Sequence, residues 1–246
     1  MKYFFTLISF LLTFSSCSNS SEAFLLKGRE LMKEKKFVEA IEALNKAIEK
    51  DEKNAAAFNT RGVAYFEQND FSNALQDYNQ AIKLAPKDYK PLFNRAETYK
   101  AQGNKEEALK DYSTAILLAP QQGNAAGIAA GTALADLYNN RGAIQNELGN
   151  KEKALADFDK AVSININDRN AVYNRGNIYY NLKDYEKAAK DFAKSTEIDA
   201  KFDKGFHSLG TTFLLLKDNE KACLAFLKAE KLGNIVAKTD RAENCK

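Results

Sequence analysis

Four stretches decide the fold: Phe58-Asn-Thr-Arg-Gly62, Phe93-Asn-Arg-Ala96, Tyr138-Asn-Asn-Arg-Gly142 and Tyr173-Asn-Arg-Gly176. Each is followed by Ala-Leu-x-Asp-aromatic or a near variant of it. Shifted against itself by 34 residues, the chain matches almost from end to end. A fixed period of that length marks a stacked array in which each unit contacts only its neighbours. Such an array offers a long surface for binding and no reaction pocket.

Counted outward from these stretches, the units are 21–54, 55–88, 89–122, 135–168, 169–202 and 203–236, with an insertion at 123–134. The eighth place of each unit holds Gly28, Gly62, Ala96, Gly142, Gly176 and Gly210. A small residue there lets a second helix cross closely. The twentieth place is always Ala: Ala40, Ala74, Ala108, Ala154, Ala188, Ala222. A bulky residue follows at the twenty-fourth, as Leu44, Tyr78, Tyr112, Phe158, Phe192 and Phe226. Spacings of three and four put these residues on one helical stripe. Pro86 and Pro120 end two units, as residues that cannot continue a helix should.

Over residues 21–236 this pattern resembles the tetratricopeptide repeat family. The fourth place departs from it, with Phe24, Phe58, Leu92, Tyr138, Val172 and Phe206 where the family has Trp, and Gln145 replaces an aromatic. The resemblance implies an all-α solenoid of six antiparallel helix pairs in a right-handed superhelix, the first helix of each pair lining a concave groove. It also implies a role in binding proteins or peptides.

The seventh and twenty-third places vary together. Arg61 goes with Asp77, Arg95 with Asp111, Arg141 with Asp157 and Arg175 with Asp191. The outer units hold Lys27 with Ala43 and Leu209 with Ala225. Within a helix pair these places could face each other, so a ladder of structural ion pairs is expected. Losing one Asp would cost several kcal/mol if the pair is shielded and roughly 0.2–1 kcal/mol if it is exposed.

The groove places named by the family pattern are rich in carboxamides. Candidate peptide-binding residues are Asn94, Asn139, Asn140, Asn174 and Asn177, with Phe93, Tyr173 and Tyr180 as flat apolar anchors. Asn is a poor helix former, so propensity does not explain its frequency here. A side-chain amide offers both donors and acceptors, which suits the backbone of an extended peptide. Asn94, Asn140 and Asn174 share the sixth place and are expected to form a row. Lys90 and Lys204 are too isolated for the family's carboxylate-clamping mode.

The insertion carries Gly123, Gly127 and Gly131 at intervals of four. It is read as a partly helical extension of the unit-four helix, the alternative being a loop between two three-unit halves. At the other end, residues 237–246 form a tail able to cap the array, as solenoids require. Cys223 and Cys245, an even pair in an exported chain, are expected to form a disulfide that pins it.

Export is read from residues 1–16. Lys2 precedes the apolar run Phe4–Phe14 and then small polar residues, the order of a secretory signal. That run is too short to span a bilayer. Phe14-Ser-Ser-Cys17 resembles a bacterial lipobox, with Phe14 where Leu is commoner, which makes Cys17 a lipidation site and 17–20 a short linker. Several acyl chains would anchor the protein stably. The expected location is the bacterial cell envelope, as an outer-membrane lipoprotein facing the periplasm. Cleavage that leaves Cys17 a free thiol would instead give a soluble periplasmic protein.

With 36 basic and 33 acidic residues the net charge is +3, which provides no field for nucleic acid. The single histidine, His207, stands apart from any cluster at metal-ligand spacing, and no phosphate loop or nucleophile motif is present. No cofactor, metal site or enzymatic activity is expected. The function expected is a membrane-anchored scaffold holding peptide segments of partners in envelope complex assembly. The alternatives are a structural subunit using its helix ends or convex face, and a soluble chaperone-like binder.

Overall fold

The structure, a computed structural model, describes residues 20–119 and 127–245; the signal and lipidation residues, Cys17 among them, lie outside these. The described residues form thirteen helices and no strand. In chain order they are α1 (Ser21–Lys33), α2 (Phe37–Lys50), α3 (Ala55–Glu67), α4 (Phe71–Leu84), α5 (Tyr89–Ala101), α6 (Lys105–Leu118) and α7 (Gly127–Glu147). They continue as α8 (Lys151–Ile164), α9 (Arg169–Asn181), α10 (Tyr185–Ile198), α11 (Asp203–Leu215), α12 (Asn219–Lys231) and α13 (Ile235–Asn244). Successive helices pair to give six hairpins plus the final α13. The chain divides into two compact units between Leu118 and Ala119, and each is a stack of three helix pairs, the second closed by α13.

Each pair is held by a knob set into a notch. A Cβ added at Gly62 would come within 2.6 Å of the Tyr78 ring, and one at Gly176 within 2.9 Å of Phe192. Tyr78, Tyr112, Phe158, Phe192 and Phe226 are all almost fully buried, beside fully buried alanines at the twentieth place. The small–bulky–small pattern is therefore the packing of second helix on first. Where Ala96 replaces glycine, Tyr112 turns its hydroxyl to donate to Glu97.

Local chemistry sets the turns. The fifteenth place of every unit adopts positive φ: Lys35, Asn69, Gly103, Gly149, Lys183 and Lys217 lie between 58° and 81°. Glycine takes this conformation without a Cβ penalty, whereas the three lysines carry one. The next helix then starts on an N-cap. The carboxylates of Asp70, Asp184 and Asp218 each accept from a backbone N–H three residues on.

The insertion is helical over 127–134, because α7 runs 21 residues where the other first helices run 13. Gly127 and Gly131 belong to that helix, whereas Gly123 lies outside the described residues. The capping helix begins at Ile235, two residues before the tail read from the sequence, because Asn234 caps it by accepting from the Ala237 N–H. Among the described residues no helix is long and apolar enough to cross a membrane.

Candidate interaction surfaces

The seventh-place arginines are bound two-fold to their aspartates. Arg61 Nε and Nη2 donate to Asp77 Oδ2 and Oδ1 at 2.8 and 2.7 Å. Arg95 meets Asp111 at 2.7 and 2.7 Å, Arg141 meets Asp157 at 2.8 and 2.6 Å, and Arg175 meets Asp191 at 2.8 and 2.8 Å. Parallel fork contacts of this kind are the strong form of ion pair. The aspartate side chains are 4–8 % exposed and the arginines 19–23 %, so the pairs are largely shielded. Hydrogen bonding to the carboxylate, working against burial, raises every one of the four guanidinium pKa values, so these cations stay charged at any working pH. Arg61 also lies over Phe58 and Tyr65, and Arg175 over Tyr179.

A third partner ties the rung to the preceding repeat. Arg61 Nη1 donates to Asn45 at 2.6 Å, Arg95 Nη1 to Asn79 at 2.5 Å and Arg175 Nη1 to Asp159 at 3.1 Å. All three acceptors occupy the twenty-fifth place of the unit before. The signal is visible in the sequence, since Ala193 holds that place ahead of Leu209, which needs no acceptor. Reading the seventh and twenty-third places alone misses it.

On the first helices a second set of bonds links neighbouring repeats. Asn94 Nδ2 donates to Asn59 Oδ1 at 2.9 Å, and Asn174 Nδ2 to Asn139 Oδ1 at 3.0 Å. The Tyr173 hydroxyl meets Ser208 at 3.1 Å, and His207 Nε2 meets Asp240 at 2.7 Å. Each joins the fifth place of one unit to the sixth of the next, and His207–Asp240 extends the pattern onto α13. Thus Asn94 is braced by Asn59, which the sequence reading did not single out, and Asn174 by Asn139. Asn140 and Asn177 are half-buried on the same helices as these rungs.

The three aromatic candidates are packed against their own units. Tyr173 lies 5.4 Å from Phe192 and 4.9 Å from Phe202, Phe93 lies 6.2 Å from Tyr112, and Tyr180 lies 5.7 Å from Tyr185. Their rings wall the surface rather than stand free on it. Burial raises the Tyr180 hydroxyl above its ordinary range, so it is a neutral donor.

The C-terminal end is closed covalently. Cys223 on α12 is bridged to Cys245 just after α13, with their Cα atoms 5.7 Å apart. Arg241 donates to Glu230 at 2.6 Å, Asn234 Nδ2 donates to Asp203 at 2.9 Å, and Ala237 is fully buried. Among the described residues no three His, Cys, Asp or Glu side chains are placed to hold a metal ion.

This repeat geometry is that of a helical-hairpin scaffold for protein–protein interaction. The tetratricopeptide repeat model matches residues 55–88, 89–122, 135–168 and 170–202, and a second TPR repeat model matches 28–69. The chain belongs to the tetratricopeptide repeat family and is an all-α TPR solenoid. Among solved structures it is similar to PilF of Pseudomonas aeruginosa, at 17% identity and TM-score 0.76, covering 91% of this chain and 97% of that one. It is similar to YrrB, a TPR protein with an unusual peptide-binding site, at 22% identity and TM-score 0.66, covering 82% and 99%. A TPR protein from Parabacteroides merdae matches at 21% identity and TM-score 0.62, covering 92% and 99%. No curated protein matches the chain by sequence.

Proposed function

We propose that the first-helix face of the second unit is a groove that reads the backbone of an extended peptide from a partner protein. The observation that carries this reading is the 3.0 Å bond from Asn174 to Asn139. It orients both amides while leaving the Asn174 carbonyl as an acceptor and the Asn139 amide as a donor. One acceptor and one donor on adjacent repeats complement the N–H and C=O of a peptide. Half-buried Asn140, Asn177 and Tyr180 extend that polar strip. The similarity to a TPR protein that carries a peptide-binding site is in keeping with this reading. Selection of displayed peptides on the full-length protein tests it. Replacing Asn139 and Asn177 together by Ala should weaken the selected peptides roughly tenfold with helicity unchanged. Equal affinity in the double variant refutes the groove.

The protein is further read as a lipoprotein tethered through Cys17, acting in assembly of envelope complexes. The charge–apolar–small order of residues 1–16 and the Phe14-Ser-Ser-Cys17 stretch support this. A disulfide between Cys223 and Cys245 suits an oxidising compartment. A linker of four residues would hold the array within about 14 Å of the bilayer. Labelled palmitate should enter the native chain and not Cys17→Ser. Equal labelling of both, or none of either, removes the anchor.

A further inference from the structure

The repeats carry a second feature that the groove does not use. In repeat 169–202 a cavity of about 400 Å³ beside the helix pair is lined by charge, with Arg175 bound to Asp191 and to Asp159 of the repeat before and with Lys190, Lys194 and Glu197 around it. Repeat 203–236 follows a complete repeat, so the same rung could have been built there. Instead all three contributing places are apolar, as Leu209, Ala225 and Ala193. Losing only one would strand a charge, whereas losing all three together leaves a slot free of buried polar groups.

The corresponding cavity in repeat 203–236, about 180 Å³, lies between α11 and α12, with Leu209 and Ala225 but not Ala193 in its lining. Its floor is Leu209 and Ala225, its walls are Phe206 and Phe213, and Leu224, 56 % exposed, forms the lip. Two cations stand at the mouth. Lys228 Nζ lies 5.3 Å from the Phe206 ring and Lys221 Nζ lies 5.5 Å from Phe213. Lys221 also meets Asp218 at 2.6 Å, the N-cap of its own helix. No carboxylate lines the cavity. The corresponding slot in repeat 21–54 differs, because Glu39 and Glu42 line it with Lys27 and Lys46 and neutralise its charge locally.

We infer that the slot of the last repeat is a second docking site, for a partner polypeptide segment that carries one bulky apolar residue flanked by carboxylates. An apolar floor suits a Leu or Phe side chain, since burying one such residue is the main source of affinity at a small site. Lys228, with no carboxylate in the cavity lining to offset it, selects acidic neighbours and rejects basic ones. The site lies on the face of the Arg–Asp rungs, apart from the asparagine groove, and does not depend on it.

Fluorescence polarisation on the full-length protein tests this, with a short synthetic peptide holding one Phe between pairs of Glu. A counterpart with the Phe replaced by Ala and another with Lys flanks serve as controls. Binding of the acidic Phe peptide should weaken at least roughly tenfold in either control, and should fall as salt rises. Leu209→Arg with Ala225→Asp and Ala193→Asn rebuilds the inner-repeat rung and puts charge on the apolar floor, so it should abolish binding of the Phe peptide. Lys228→Glu, an exposed change that leaves packing alone, should weaken it independently of how the triple variant folds. The Asn139→Ala, Asn177→Ala variant should bind the peptide as the native chain does. Equal binding of the Ala counterpart, indifference to Lys228→Glu, or loss in the groove variant overturns the assignment. So does displacement by laurate or by phosphatidylglycerol vesicles, which would give the slot to lipid.

Discussion

Repeats 169–202 and 203–236 are neighbours with the same backbone plan, stabilised by different means. The first crosses its helices with a glycine under Phe192 and ties them with Arg175, Asp191 and Asp159. The second keeps the glycine under Phe226 and drops the polar rung for Leu209 and Ala225. Its second helix is bridged onward instead, through Cys223–Cys245, to the end of α13. The difference shows that the knob and its notch define the hairpin, while the tie beside them can be exchanged. Where the polar tie is absent, the cavity beside the helix pair has an apolar floor in place of a charged one.

The largest effect expected from breaking this contrast is on the covalent tie. Reducing the bridge, or replacing both cysteines by Ala, should destabilise the second unit by about 3 kcal/mol, as chain entropy predicts for a loop of this size. Denaturant unfolding with and without reductant measures it, and coincident curves would contradict it. Next comes the rung. Asp191→Ala should cost about 2–3 kcal/mol, between the exposed and fully buried limits, because Arg175 keeps about a fifth of its surface in water. Adding Arg175→Leu, which imports the pair of the last repeat, should recover most of that loss. A double-mutant cycle with no coupling would show that the rung contributes nothing as a pair.

A smaller gain is expected at the turn that both repeats share. Lys183 and Lys217 have φ of 64° and 59°, and glycine at either should raise stability by up to about 1 kcal/mol, offset in part by unfolded-state entropy. A lower melting temperature for Lys217→Gly would mean the lysine stem packs usefully there. The smallest effect is titration of two half-buried N-caps. The Lys187 side chain and N–H hold Asp184 below its ordinary pKa, and the Lys221 side chain and N–H do so for Asp218. A carboxylate lowered in the folded state stabilises above its unfolded pKa of about 3.9, and that contribution is lost as pH falls below it. Melting temperature should therefore drop below about pH 4 in the native chain, less in Asp184→Asn with Asp218→Asn.

Much of the fold was legible because each unit repeats the same local problem. Gly176 and Phe192 sit sixteen residues apart in the sequence, and the same spacing in five other units exposes their pairing. The correlation of Arg175 with Asp191 was visible for the same reason. The twenty-fifth-place acceptors were equally available, and they went unread because the bond crosses from one repeat to the next. Asn94 and Asn174 lie on first helices, and the period alone names neither Asn59 as the partner of one nor Asn139 as the partner of the other. Asn174 bonds Asn139, one place earlier in the preceding unit, because successive helical residues point about 100° apart, so the fifth place faces the next first helix and the sixth the one before. For the aromatic candidates, pattern alone cannot say whether Tyr173 turns outward or packs on Phe202.

By itself the sequence determined the hairpin and its period, because small and bulky residues at fixed places admit one mutual packing of two helices. It also specified which repeats hold charge at their seams. Only the tertiary structure decided how far those charges are shielded, which amides brace one another, and that the cavity of the last repeat has an apolar floor and no carboxylate in its lining. These depend on distances and directions between helices of different repeats, which the period of the sequence does not record.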